Sequence, residues 1–76
     1  MITVKLYGLL RLDAGIREQR VEAKTMKDVF TALESFGIPR KKLEGSVILI
    51  NGKPAKKRAM LNDGDVVQLL PPVAGG

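Results

Sequence analysis

The chain has no cysteine, no histidine and no tryptophan, and its only aromatic residues are one tyrosine and two phenylalanines. Without cysteine there is neither a disulfide nor a thiol nucleophile. Zinc, copper and iron–sulfur sites lose their usual ligands, and no Ser-His or Cys-His pair can form. Stand-alone catalysis of most reaction classes is therefore not expected. Any chemistry falls to lysines, carboxylates, Tyr7 or the C-terminus. No apolar run approaches the ~20 residues that a membrane helix needs. Met1 leads straight into a strand pattern with no signal or transit peptide ahead of it, so a cytoplasmic protein is expected.

What remains is an ordinary composition for one small domain of 76 residues, 45% hydrophobic and 28% charged. A chain of this size buries roughly 60–65% of its unfolded surface, so its core is small. The net charge of +5 is unevenly spread. Residues 40–58 hold seven basic residues and a single acid, Glu44, while the rest holds six basic and seven acidic residues. The excess sits in one part of the chain.

Ile2-Thr3-Val4-Lys5-Leu6-Tyr7 alternates apolar and polar, which predicts a half-buried strand with Ile2, Val4 and Leu6 inward. Gly8 to Gly15 reads as a connection with a turn near Asp13-Ala14-Gly15. Ile16 to Ala23 predicts an edge strand, blunted by Arg17, Glu18 and Arg20. Thr25-Met26-Lys27-Asp28 resembles a capping box, and Val29, Phe30, Leu33 and Phe36 follow at helical spacing. The helix should run from about Met26 to Phe36, with Gly37 and Pro39 ending it. Arg40 to Gly45 reads as a basic connector. Val47 to Ile50 is wholly apolar and predicts a buried central strand. Asn51-Gly52 is a strong hairpin signal, and Lys53 to Lys57 is the weak return strand, kept at an edge by Pro54. Asn62-Asp63-Gly64-Asp65 is another turn, and Val66 to Leu70 the last strand. One amphipathic helix on one face of a mixed sheet makes an α+β two-layer domain over residues 1–70. The ubiquitin-like β-grasp, a mixed sheet of four to five strands packed on one helix, meets this order. Its first and last strands lie adjacent and parallel in the sheet centre.

The chain ends in Pro71-Pro72-Val73-Ala74-Gly75-Gly76. The prolines cannot donate ladder hydrogen bonds, so sheet pairing should stop at Leu70 and the chain should leave stiffly extended. Four residues beyond Pro72 reach roughly 13 Å when stretched. Gly75 and Gly76 lack a Cβ and could thread a channel too narrow for other residues. The last group is a carboxylate, ionised at pH 7 because its pKa is roughly 3.5. Residues 71–76 are expected to form a flexible tail, with Val73 to Gly76 ordered only inside a partner.

These features resemble the ubiquitin-like sulfur-carrier family, and within it the small subunits of molybdopterin synthase. The resemblance covers the whole chain. It rests on Met1 to Leu6, on Leu10-Arg11 ahead of Gly15, on Thr25 opening the helix, and on Val47 to Gly52. Its most specific part is Leu61-Asn62-Asp63-Gly64-Asp65-Val66 followed by Pro71-Pro72-Val73-Ala74-Gly75-Gly76. It implies that Gly76 is the reactive residue, adenylated and then converted to a thiocarboxylate that donates sulfur in molybdenum cofactor biosynthesis. Gly75, Ala74 and Val73 would be gripped by the partner's channel. Tyr7, Leu70, Pro71 and Pro72 would meet the partner's surface, since matching positions do so in relatives. The implied partners are an E1-like adenylating enzyme, the molybdopterin synthase large subunit and a sulfurtransferase. No bound cofactor is expected; ATP is used by the activating enzyme. The free protein would be a monomer and the active site would lie on its partner.

Other readings share the same residues. A carrier for thiamine or another sulfur pathway has the same fold and Gly-Gly end, and a protein modifier joined through Gly76 to lysines needs the same activated terminus. A nucleic-acid module is suggested by Arg40, Lys41, Lys42, Lys53, Lys56, Lys57 and Arg58. That segment holds no aromatic residue to stack on bases, so nucleic acid is not the expected partner.

Overall fold

The computed structural model describes residues 1–72. Val73, Ala74, Gly75 and Gly76, with the tail behaviour expected of them, lie outside the described residues. Along the chain the elements are β1 (Ile2–Leu6), α1 (Gly8–Ala14), β2 (Glu18–Val21), α2 (Met26–Glu34), α3 (Arg40–Glu44), β3 (Val47–Ile50), β4 (Lys53–Ala55) and β5 (Val66–Leu70). The strands form one mixed five-stranded sheet in the order β2-β1-β5-β3-β4. β1 and β5 pair in parallel, and the other neighbours are antiparallel. This is the ubiquitin-like β-grasp, with β5 at the sheet's centre and β2 and β4 at its edges as their sequences predict.

Alternation in β1 and β5 sends Ile2, Val4, Leu6, Val67 and Leu69 into the core. There they meet Met26, Val29, Phe30 and Leu33 of α2, with Ile38, Leu43 and Ile48 completing the cluster. α2 starts where its cap dictates. Thr25 Oγ1 accepts the Asp28 amide at 3.2 Å, and Asp28 Oδ2 accepts the Lys24 amide at 3.1 Å. It is shorter than the apolar periodicity predicts. From Ser35 to Gly37 the amides bond carbonyls three residues back, tightening the chain before Gly37 turns it at φ +96°. Asn51 and Gly52, at φ +52° and +82°, make the tight turn that Asn-Gly favours in a hairpin.

The structure corrects three expectations. Gly8 to Ala14 is a helix rather than a connection, held by buried Leu10 and ended by Gly15 at φ +72°. The basic connector after Pro39 is also a short helix, α3, anchored by Leu43. β3 lies inside the sheet, between β5 and β4, but is not buried along its length: only Ile48 is buried, and Val47 is 44% exposed. The cause is that α2 covers one face of the sheet, so alternate β3 side chains point away from it.

Candidate functional site

The face of the sheet opposite α2 is assembled by register. Val66, Gln68 and Leu70 of β5 alternate with the buried Val67 and Leu69 and point outward. Thr3 and Lys5 lie beside Val66 and Gln68 on one side. Leu49 and Val47 lie beside Gln68 and Leu70 on the other, and Pro54 pairs with Leu49. Tyr7 continues the β1–β5 ladder, its amide donating to the Leu69 carbonyl at 3.2 Å. Gln68 Nε2 donates to Tyr7 Oη at 2.9 Å and thereby ties the ring to the central strand. Tyr7 remains 37% exposed. Tyr7 and Leu70 therefore meet on one outward face, where alternation places them.

That face is wider than the last strand alone suggests. Val47 and Leu49 extend it across β3 and were hidden by the continuous apolar run Val47 to Ile50. The detectable signal was Asn51-Gly52: a hairpin leading to a proline-bearing edge strand leaves one face of β3 to solvent unless something covers it.

Pairing ends at Leu70, and Pro71 passes directly over Gly8. A Cβ built on Gly8 would stand 2.8 Å from Pro71 Cγ and 3.3 Å from its Cδ. Gly8 also holds φ +59°, a left-handed conformation. Pro71 and Pro72 line a cleft of about 290 Å³ with Leu9 and Leu10 of α1 and Lys41 and Lys42 of α3. Leu9 is 62% exposed there. The two short helices unforeseen from the sequence thus form the walls of the exit. Lys42 Nζ is held by Asp13 Oδ2 at 2.7 Å, which links α3 to the end of α1.

The start of β5 is pinned just as firmly. The Asn62 amide donates to Asp65 Oδ2 at 2.8 Å, and Asn51 Nδ2 donates to Asp65 Oδ1 at 2.9 Å. These donors hold the Asp65 carboxyl below the usual carboxylate range. Asn51 Oδ1 in turn accepts the Val66 amide at 3.0 Å. The Asn51-Gly52 turn is therefore also a clamp on the central strand. Asp28 is lowered by the Lys24 amide and then by Thr25, and Asp63 by the Met1 ammonium.

Among the described residues, no cluster of three or more Cys, His, Asp or Glu is placed to hold a metal ion. No described helix is long and apolar enough to cross a membrane. The sheet face, the proline exit and its helical walls are suited to docking a protein and directing an extended segment into it. The expected reactive carboxylate of Gly76, and Val73, Ala74 and Gly75 before it, lie beyond the described residues.

Comparison with known proteins agrees with this geometry. The model of the ThiS family matches residues 4–76. The small archaeal modifier protein 1 of Methanosarcina acetivorans superposes with a TM-score of 0.83 at 28% identity, over 99% of this chain and 95% of that one. The complex of subunits 1 and 2 of molybdopterin-converting factor from Helicobacter pylori contains a chain matching with a TM-score of 0.69 at 26% identity, over 99% and 97%. Urm1 of Sulfolobus solfataricus matches with a TM-score of 0.73 at 28% identity, over 92% and 99%. No curated protein sequence matches.

Proposed function

Because the chain belongs to the ThiS family, we propose that it is a sulfur carrier whose reactive group is the Gly76 carboxylate. A carboxylate is a poor electrophile. An E1-like partner would join it to the AMP moiety of ATP, releasing pyrophosphate. A sulfurtransferase would then deliver sulfur at the sulfide level, a thiol reducing its persulfide; the sulfide displaces AMP and leaves a thiocarboxylate on Gly76. The acceptor is the molybdopterin synthase large subunit, where the sulfur passes to the pterin precursor and water restores the carboxylate. The chain supplies no acid or base for these steps. Its part is to dock through the open sheet face and aim the tail from Pro71.

The observation that carries this reading is that the family match runs to Gly76, so the Gly-Gly end lies within the match. The acceptor is favoured by the likeness to a chain in the Helicobacter pylori complex, whose partner is subunit 2 of molybdopterin-converting factor. The test is incubation with an adenylating enzyme, ATP and a sulfur source, read by intact mass. One carboxylate oxygen should be exchanged for sulfur, and deletion of Gly76 should abolish the exchange while leaving the fold intact. No exchange with any matched activating enzyme sinks the proposal.

A second reading has Gly76 joined to substrate lysines, favoured by the likeness to a protein named an archaeal modifier. Conjugates that vanish on deletion of Gly76 would identify it. A carrier serving thiamine or another sulfur pathway would show the same exchange but would not restore pterin sulfuration by the large subunit.

A further inference from the structure

Four of the seven basic residues of the 40–58 segment, Arg40, Lys56, Lys57 and Arg58, are drawn together by the fold. Lys57 and Arg58, after β4, stand across a hollow of about 490 Å³ from Arg40 and Glu44 of α3 and Thr25 and Lys27 at the start of α2. A second hollow of about 520 Å³ adds Ser46 and Lys56 and shares Glu44, Lys57 and Arg58 as walls. The two make one trough beside α3. None of the outward sheet residues that carry the proposed docking face lines it.

The charges in the trough are not equivalent. Arg40 is spent internally: Nη1 donates to Glu34 at 2.6 Å and Nε to Glu44 at 3.4 Å, and the guanidinium lies 5.5 Å from the centre of the Phe30 ring. Among the described residues, Lys27, Lys56, Lys57 and Arg58 have no carboxylate within ion-pair distance. Four cations gathered in one concave surface repel one another and raise the local potential, which a negatively charged occupant relieves.

We propose that this trough is a docking site for an acidic, extended segment of a partner protein, distinct from the surface that presents the tail. The chemistry favours polypeptide over nucleic acid. The only aromatic residue in the trough, Phe30, is buried beneath Arg40, so no ring is free to stack on a base. Glu44, Thr25 and Ser46 offer acceptors among the cations. A polypeptide brings a regular row of backbone N–H donors to meet them, whereas the phosphate groups of a nucleic acid bring only acceptors. The site does not depend on the sulfur reading, since it uses none of the tail.

The test is titration of the full-length, ¹⁵N-labelled protein with an Asp/Glu decapeptide at low salt. Saturable amide shifts should concentrate at residues 25–28, 40–46 and 56–58. The K57E/R58E variant should weaken binding about tenfold with an unchanged melting curve. The K5E/R11E variant makes the same change in net charge elsewhere and should stay within about twofold of the parent. Equal weakening by both variants would show attraction to net charge alone and overturn the site. Tighter binding of an equally charged single-stranded RNA to the same amides would overturn the choice of partner.

Discussion

Pro71 rests on the bare α-carbon of Gly8, where a Cβ would come within 2.8 Å of the proline ring. This contact sets where the chain leaves the sheet, because Pro71 is the first residue after β5 and Gly8 the first of α1. Gly8→Ala should cost about 1–3 kcal/mol, combining strain at φ +59° with displacement of the ring. Gly15 has similar φ, +72°, but open space around it, so Gly15→Ala should cost only the backbone part, about 1 kcal/mol. Urea unfolding measures both. Pro71→Ala in the Gly8→Ala background should recover the difference. Equal costs at Gly8 and Gly15 would show that the proline contact contributes nothing.

Tyr7 and Val47 flank β5 on the open face, one following β1 and one opening β3. If the face docks the large subunit, Tyr7→Asp and Val47→Asp should each weaken that binding by about 2 kcal/mol. Because both side chains stand on the exposed side of the sheet, the fold should survive, as the far-ultraviolet circular dichroism would show. Calorimetric titration reads the affinity. An unchanged dissociation constant in both variants rules this face out as the interface.

Which parts of this arrangement the residues disclose depends on how many side chains each element buries. β1 and β5 bury every second residue, and α2 buries Met26, Val29, Phe30 and Leu33, so their periods are plain. α3 buries only Leu43, and one apolar residue carries no period. α1 has Leu9, Leu10 and Leu12, of which only Leu10 is buried, and its N-cap residue Tyr7 makes no side-chain capping bond to the helix. A leading glycine suggests a turn there, and the tertiary contact with Pro71 overrides that preference. The site divides in the same way. Tyr7, Leu70 and the Gly-Gly end are readable from alternation and motif. Val47 and Leu49 are signalled only indirectly, by the Asn51-Gly52 hairpin, and Gly8 and the walls of the exit appear only once packing is known.

Acid should loosen the clamp on β5. Asp28, Asp63 and Asp65 all have folded-state pKa values below the ordinary carboxylate range. Their contribution is therefore complete above the unfolded carboxylate pKa of ~3.9 and is lost as pH falls through the lower folded values. The Met1 ammonium, raised by Asp63, gives the opposite limb: its contribution is lost as pH rises through its raised value. Stability by urea unfolding should be flat through the mildly acidic range and fall below it. Asp65→Asn should be less stable at neutral pH and fall less steeply in acid. An identical acid slope in that variant would remove Asp65 from the account.

Leu69 and Leu70 are consecutive residues of β5 that should fail in opposite ways. Leu69 is fully buried in the core, whereas Leu70 lies on the open face opposite Val47. Leu69→Ala removes buried methyl groups and leaves a cavity, which costs about 2–5 kcal/mol. A domain this small has a total stability of only about 5–10 kcal/mol, so a large share of it goes. If the open face docks the large subunit, what remains folded should still bind it with near-parental affinity, since the outer face is untouched. Leu70→Asp leaves the core intact and should shift the urea midpoint little. It puts a charge where the partner would cover the strand just before Pro71, and desolvating that charge without a counter-ion should weaken binding by about 2–4 kcal/mol. Measuring both properties on both variants separates folding from docking within one strand. Loss of stability without loss of affinity in Leu70→Asp would mean that the open face supports the fold rather than the complex. The docking surface would then have to lie elsewhere on the domain.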